Sequence, residues 1–116
     1  MGDELDEARA LVARGHDVSL ADHADFTPLH LAAQQGAGRV AELLLSAGAN
    51  VDATNAHGNT PLFVAVFNSK GRGDLIELLR AAGADPLHAN NAGQTPVGLA
   101  RLIGNYDIAE FFADLP

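Results

Sequence analysis

The 116-residue sequence contains no cysteine. That absence removes disulfides, thiolate metal ligands, cysteine nucleophiles and thiol redox switching, and it favours a reducing compartment. Serine is scarce as well. Ser19, Ser46 and Ser69 are the only ones, and none stands in the setting of a nucleophile elbow. No apolar run approaches the roughly 18 residues that a membrane span needs. The first twenty residues carry Asp3, Glu4, Asp6 and Glu7, where a secretory signal would have positive charge and a long apolar stretch. Positive charge is in short supply throughout: seven Lys and Arg stand against fifteen Asp and Glu, a formal net charge of -8. A chain of this sign repels phosphate backbones, which argues against nucleic acid as a ligand. The same charge favours solubility and would speed encounter with a basic partner. Composition therefore leads us to expect a soluble, cytoplasmic protein with no membrane or nucleic-acid partner.

What the sequence does have is repetition. The stretch TPLHLAA from Thr27 returns as TPLFVAV from Thr60 and as TPVGLAR from Thr95, after 33 and 35 residues. Gly15, Gly48 and Gly83 repeat in phase with it, again 33 and 35 residues apart. Self-similarity near this period, on this motif, resembles the ankyrin repeat, which pairs a turn with two antiparallel helices. The resemblance covers Leu5 to Phe112. It implies an all-α ankyrin-repeat solenoid in a single domain spanning residues 1–116. We expect an N-terminal half-repeat cap over residues 1–20 and three full helix-turn-helix repeats over about 21–53, 54–88 and 89–116. A chain of this length buries roughly two thirds of its unfolded surface, enough for a stacked core.

The local chemistry agrees with that plan. In the cap, Leu5, Ala8, Leu11 and Val12 share one helix face, with Asp3 as N-cap and Gly15 as terminator. Asp6, Glu7 and Arg9 then face water where another repeat would stack. Asp22 to Asp25 forms a hairpin tip, and Asp25 stands where later repeats have Gly58 and Gly93, at a position expected to need a positive φ. Thr27-Pro28, Thr60-Pro61 and Thr95-Pro96 each open a helix, the hydroxyl capping a free N–H and the proline presetting φ. The first such helix, Pro28 to Gln35, is expected to bury Leu29, Ala32 and Ala33. After a reversal at Gly36 to Gly38, a helix over 39–47 is expected to bury Val40, Leu43 and Leu44.

In the second repeat the link Ser69-Lys70-Gly71-Arg72-Gly73 is two residues longer than its counterpart, and its two glycines predict mobility. The helix after it, over 74–82, is expected to bury Leu75, Ile76, Leu78 and Leu79. In the third repeat Gly98 and Arg101 replace residues such as His30 and Val66. Tyr106, Phe111 and Phe112 concentrate in a closing helix whose outer face carries Asp107, Glu110 and Asp114, the polar surface that a C-terminal cap needs.

Catalytic and metal chemistry find little to build on. His30 lies inside the repeat motif, and the resemblance assigns it a structural hydrogen-bonding role. His16, His23, His57 and His88 show no metal-ligand spacing such as i, i+4 on one helix. His23 and His57, 34 residues apart, belong to adjacent tips and are expected to meet a protein or nothing rather than a metal. Gly36, Gly38, Gly71 and Gly73 lack the strand and the Lys-Ser/Thr pair of a phosphate-binding loop. Paired carboxylates such as Asp6-Glu7 fall on a solvated helix face. We expect no enzyme activity, no cofactor and no metal.

What remains is a surface. The ankyrin resemblance implies that a partner is gripped by the concave face of hairpin tips and inner helices. Carried over by position, that face comprises His23, Ala24, Phe26, Gln34 and Gln35 in the first repeat. It continues through Ala56, His57, Asn59, Phe67 and Asn68 in the second, and Asn91, Ala92, Gln94, Leu102 and Ile103 in the third. Lys70 and Arg72 of the long link join it. Phe67 and Phe26 are either interface anchors or side chains covered by the neighbouring loop and tip. The expected function is a non-catalytic protein–protein interaction module, monomeric on its own. The blocks TPLFVAVFNSKG, GADPLHANNAGQTP and NYDIAEFF also resemble small ankyrin proteins encoded beside bacterial polymorphic toxins. That likeness implies an immunity protein that neutralises a basic toxin, and a regulatory subunit of a cellular enzyme is the other alternative.

Overall fold

The three threonine-proline pairs start three helices. The computed structural model describes residues 27–69, 73–103 and 106–115, with the backbone alone for 106 and 107. It contains α1 (Pro28–Gln35), α2 (Gly38–Ser46), α3 (Pro61–Phe67), α4 (Asp74–Ala81), α5 (Pro96–Leu102) and α6 (Tyr106–Glu110), and no strand among the described residues. Thr27, Thr60 and Thr95 are extended N-caps. Their hydroxyls accept from the N–H of His30 at 3.3 Å, Phe63 at 3.4 Å and Gly98 at 3.0 Å. Each bond satisfies one of the orphan donors of a first turn.

The in-phase glycines end helices as their spacing implied. Gly48 and Gly83 have φ of 96° and 97°, a region costly for any residue with a Cβ. Around them Ala49 N–H donates to Leu44 O and Ala84 N–H to Leu79 O, each at 3.0 Å, closing the same two-bond cap after α2 and after α4.

Helices pair within a repeat, α1 with α2, α3 with α4 and α5 with α6, while α1, α3 and α5 stack as an inner row and α2 packs on α4 outside it. Because α3 has inner-row neighbours on both sides, six consecutive residues, Pro61 to Val66, are buried. The core continues through Leu29, Ala32 and Ala33 of α1, Ala41 and Leu44 of α2, Leu75, Ile76 and Leu79 of α4, and Val97, Leu99 and Ala100 of α5. Small alanines on the facing sides let these helices approach closely.

Several expectations are corrected. The helix expected over 39–47 begins at Gly38 and ends at Ser46, and the one expected over 74–82 ends at Ala81. Leu43 and Leu78 are half-buried rather than core. Leu43 stands two residues past the buried Ala41, about 200° round a helix of 3.6 residues per turn, and Leu78 bears the same relation to Ile76. Val40 is likewise half-buried, packed against the core from its edge. The closing helix is only five residues long. After it the N–H groups of Phe111, Phe112, Ala113 and Leu115 each bond the carbonyl three residues back, a tighter winding than α. Gly73 does not loosen the long link: it is buried, and a Cβ there would collide with the Phe111 ring. The expected cap over residues 1–20, the tip at Asp25, and Gly71 lie outside the described residues.

Candidate functional site

The hairpin tips are built by two asparagines 35 residues apart. Asn55 Oδ1 accepts from the N–H of His57 and of Asn59, at 2.9 and 3.1 Å. Asn90 Oδ1 accepts in the same way from Ala92 and Gln94, at 2.9 and 3.0 Å. Each asparagine also donates its N–H across the tip, Asn55 to Asn59 O at 3.0 Å and Asn90 to Gln94 O at 2.8 Å. Gly58 and Gly93 complete the tips with φ of 77° and 80°, as their alignment with Asp25 implied.

Neighbouring tips are then bonded to each other. Asn91 donates its N–H to His57 O and its Nδ2 to Ala56 O, both at 3.0 Å. Asn90 Nδ2 donates to Asn59 Oδ1 at 2.8 Å, and Asp85 N–H to Asp52 Oδ1 at 3.0 Å. One repeat earlier His30, fully buried, performs the same joining role. Its Nδ1 accepts from Thr27 N–H at 3.1 Å and lies 2.8 Å from the Thr27 hydroxyl, so the ring proton is on Nε2, which donates to Asn59 O at 2.8 Å. A neutral imidazole has one donor and one acceptor, and both are used.

Against this tied framework, four large apolar side chains of the inner row stand in solvent, the first of them Leu31 of α1 at 45%. Phe67 at the end of α3 is 70% exposed, and Leu102 at the end of α5 is 71% exposed, with Ile103 beside it at 44%. Phe67 and Leu102 follow Thr60 and Thr95 by seven residues each, so they occupy the same position in adjacent repeats, and Gln34 is their counterpart on α1. Phe67 is thus uncovered rather than folded beneath the chain. Between the ends of α1 and α3 and the start of α4 lies a cleft of about 330 Å³. Gln34, Gln35, Asn68, Ser69 and Asp74 line its polar part.

The expected site residues therefore divide. Gln34, Gln35, Ala56, His57, Asn91, Ala92 and Gln94 are exposed, as are Phe67, Leu102 and Ile103. Asn59 is half-buried with its side chain engaged by Asn90, and the exposed Asn91 spends its amide on Ala56. Asn68 donates Nδ2 to Val64 O at 2.9 Å. His23, Ala24, Phe26, Lys70 and Arg72 lie outside the described residues. Sequence reasoning missed Asn55 and Asn90, although their spacing equals that of Thr60 and Thr95. It also missed Arg80, which binds the closing segment and has no periodic counterpart. Among the described residues no group of three or more His, Asp or Glu converges on a point where a metal ion would sit, and no described helix is long and apolar enough to cross a membrane.

Residues 2–90 match the family described as ankyrin repeats in three copies. Over 65 residues the chain is 45% identical to inversin of Canis lupus familiaris, an alignment that covers 56% of this chain and 6% of that protein. It is 42% identical over 57 residues to protein phosphatase 1 regulatory subunit 27 of Homo sapiens, covering 49% of this chain and 37% of the relative. With human Rabankyrin-5 the identity is 49% over 45 residues, 39% of this chain and 4% of the other. In each case the match spans well under half of the relative's length.

Proposed function

Because the chain belongs to the ankyrin-repeat family, whose repeats are protein–protein interaction modules and which is generally non-catalytic, we propose that it binds another protein on a concave face of hairpin tips and inner helices. The observation that carries this reading is the exposure of Phe67, Leu102 and Ile103 on the inner row. Large apolar side chains grouped in polar surroundings favour burial against a partner. The bonded tips support it too, since a preformed surface orders little on association and loses less entropy.

Two narrower readings have separate support. The likeness to a phosphatase regulatory subunit favours stable attachment to an enzyme. The net charge of -8, together with the resemblance to toxin-neutralising ankyrin proteins, favours a basic toxin. A pull-down from lysate of the source cells, with the Phe67→Ala/Leu102→Ala double variant as control, tests the general reading. A partner that is captured by the native protein, lost from the folded control, and then bound directly by the purified chain supports it. A partner held equally by both proteins places the interface elsewhere. The identity of the captured protein separates enzyme from toxin.

A further inference from the structure

The polar cleft and the exposed aromatic beside it have complementary chemistry. Asn68, the C-cap of α3, lines the cleft, and the exposed Phe67, the last residue of that helix, is its neighbour in the chain. Across the cleft Asp74, exposed at the first position of α4, forms no ion pair with any described residue. Asn68 commits its Nδ2 to Val64 O, which leaves its Oδ1 as the outward acceptor. Gln34 brings a further amide from the end of α1. The described residues of the cleft thus offer a carboxylate and carbonyl acceptors, with an exposed aromatic ring one residue along the chain from Asn68. A volume of about 330 Å³ is at the small end of ligand clefts, suited to one long side chain rather than a cofactor.

We propose that this cleft receives an arginine of the partner protein while the partner residue next to that arginine packs an apolar side chain on Phe67. The inference rests on the protein-binding reading above and names the partner's contact chemistry. A guanidinium presents five N–H donors in a planar fork that fits a carboxylate and flanking carbonyls, and it stacks on an aromatic face. An apolar neighbour covers the remainder of the Phe67 ring. A second copy of the chain is a poor occupant, because it would bring another -8 of like charge to the contact.

Selection of a random 12-residue peptide library displayed on phage against the full chain, followed by sequencing of the bound pool, tests this. Enriched peptides are expected to contain arginine adjacent to a large apolar residue. Selection on Asp74→Asn should cut the arginine enrichment about tenfold, the scale of a charge-assisted contact, while selection on Phe67→Ala should remove the apolar neighbour preference. Gln34→Lys, which brings a cation to the cleft wall, guards against a folding defect in the first variant and should have the same effect on arginine. Circular dichroism melts confirm that all three remain folded.

Enriched peptides that depend on Phe67 but are unchanged by Asp74→Asn overturn the arginine site and leave the concave reading standing. Peptides indifferent to Phe67→Ala, or no enrichment over background, overturn both. Sedimentation showing a dimer that Phe67→Ala disperses would seat a second copy on the patch and also overturn the proposal.

Discussion

Arg80 grips Asp114 through two parallel hydrogen bonds, Nη1 to Oδ1 and Nη2 to Oδ2, each 2.8 Å long. The same guanidinium donates to Phe111 O at 2.6 Å and lies 5.3 Å from the centre of the Phe112 ring. One side chain of the second repeat thereby holds the end of the third. Arg101 adds a bond of 3.1 Å to Leu115 O. Phe112 and Ile108, both fully buried, fill the core beneath. Replacing Arg80 with alanine removes the carbonyl bond, the fork and the ring contact together, and should cost about 1–3 kcal/mol in urea unfolding. An unchanged midpoint would mean that the closing segment holds by its apolar residues alone.

The same pair sets a dependence on pH. The hydrogen bond from Arg80 holds the Asp114 carboxyl at about 2, below its ordinary value. A carboxyl with a lowered folded pKa contributes stability above its unfolded value of about 4, and loses it as pH falls from there toward 2. The Tm difference between the native chain and Asp114→Asn should therefore be present at pH 6 and shrink between pH 4 and 2. Since Asp114 is exposed, added salt should also reduce it. A difference that persists at pH 2 would trace to geometry rather than charge.

Burial in α2 separates two adjacent leucines. Leu44 is 4% exposed and faces the core, whereas Leu43 is half-buried on the flank. Leu44→Ala should cost about 2–5 kcal/mol, with Leu43→Ala costing about half of that or less. Equal losses in denaturant unfolding would contradict the helix rotation described above.

His30 couples the first repeat to the second through Asn59. His30→Ala removes a fully buried ring, leaves the Thr27 N–H without its partner and takes from Asn59 O one of its two hydrogen bonds, for an expected loss of about 2–4 kcal/mol. The measurement is again denaturant unfolding, and a change below about 0.5 kcal/mol would show that neighbouring repeats do not need this bond.

The parts of this fold legible in the sequence are those whose chemistry is local. A Thr-Pro pair caps the turn that immediately follows it, and a glycine with positive φ ends the helix just before it, so both are readable at one position. Runs such as Glu42-Leu43-Leu44-Leu45 are not decided this way. With three leucines in a row, periodicity allows more than one buried face, and only packing against α1 and α4 selects Leu44. The glycines of the long link predict mobility because the residue that Gly73 packs against, Phe111, is 38 residues away. Arg80 and Asp114, 34 residues apart without repeating, leave no local trace. In sequence Phe67 is either anchor or covered side chain, since its exposure depends on what the neighbouring repeats leave open.

Phe67 gives the sharpest test of where a partner docks. At 70% exposure it contributes little to folding, so Phe67→Ala should shift unfolding by no more than about 0.5 kcal/mol. Binding of a captured partner should weaken by about 1 kcal/mol or more, measured by calorimetry on the purified pair, because the truncation removes an aromatic anchor. Leu102→Ala, at the equivalent position of the next inner helix, should weaken the same partner while sparing the fold, and the pair should be non-additive if one partner element covers both. For a basic partner the association rate should fall as salt rises. A Phe67 variant that melts early yet binds normally would put the ring in the core, and the binding surface on another face of the repeats.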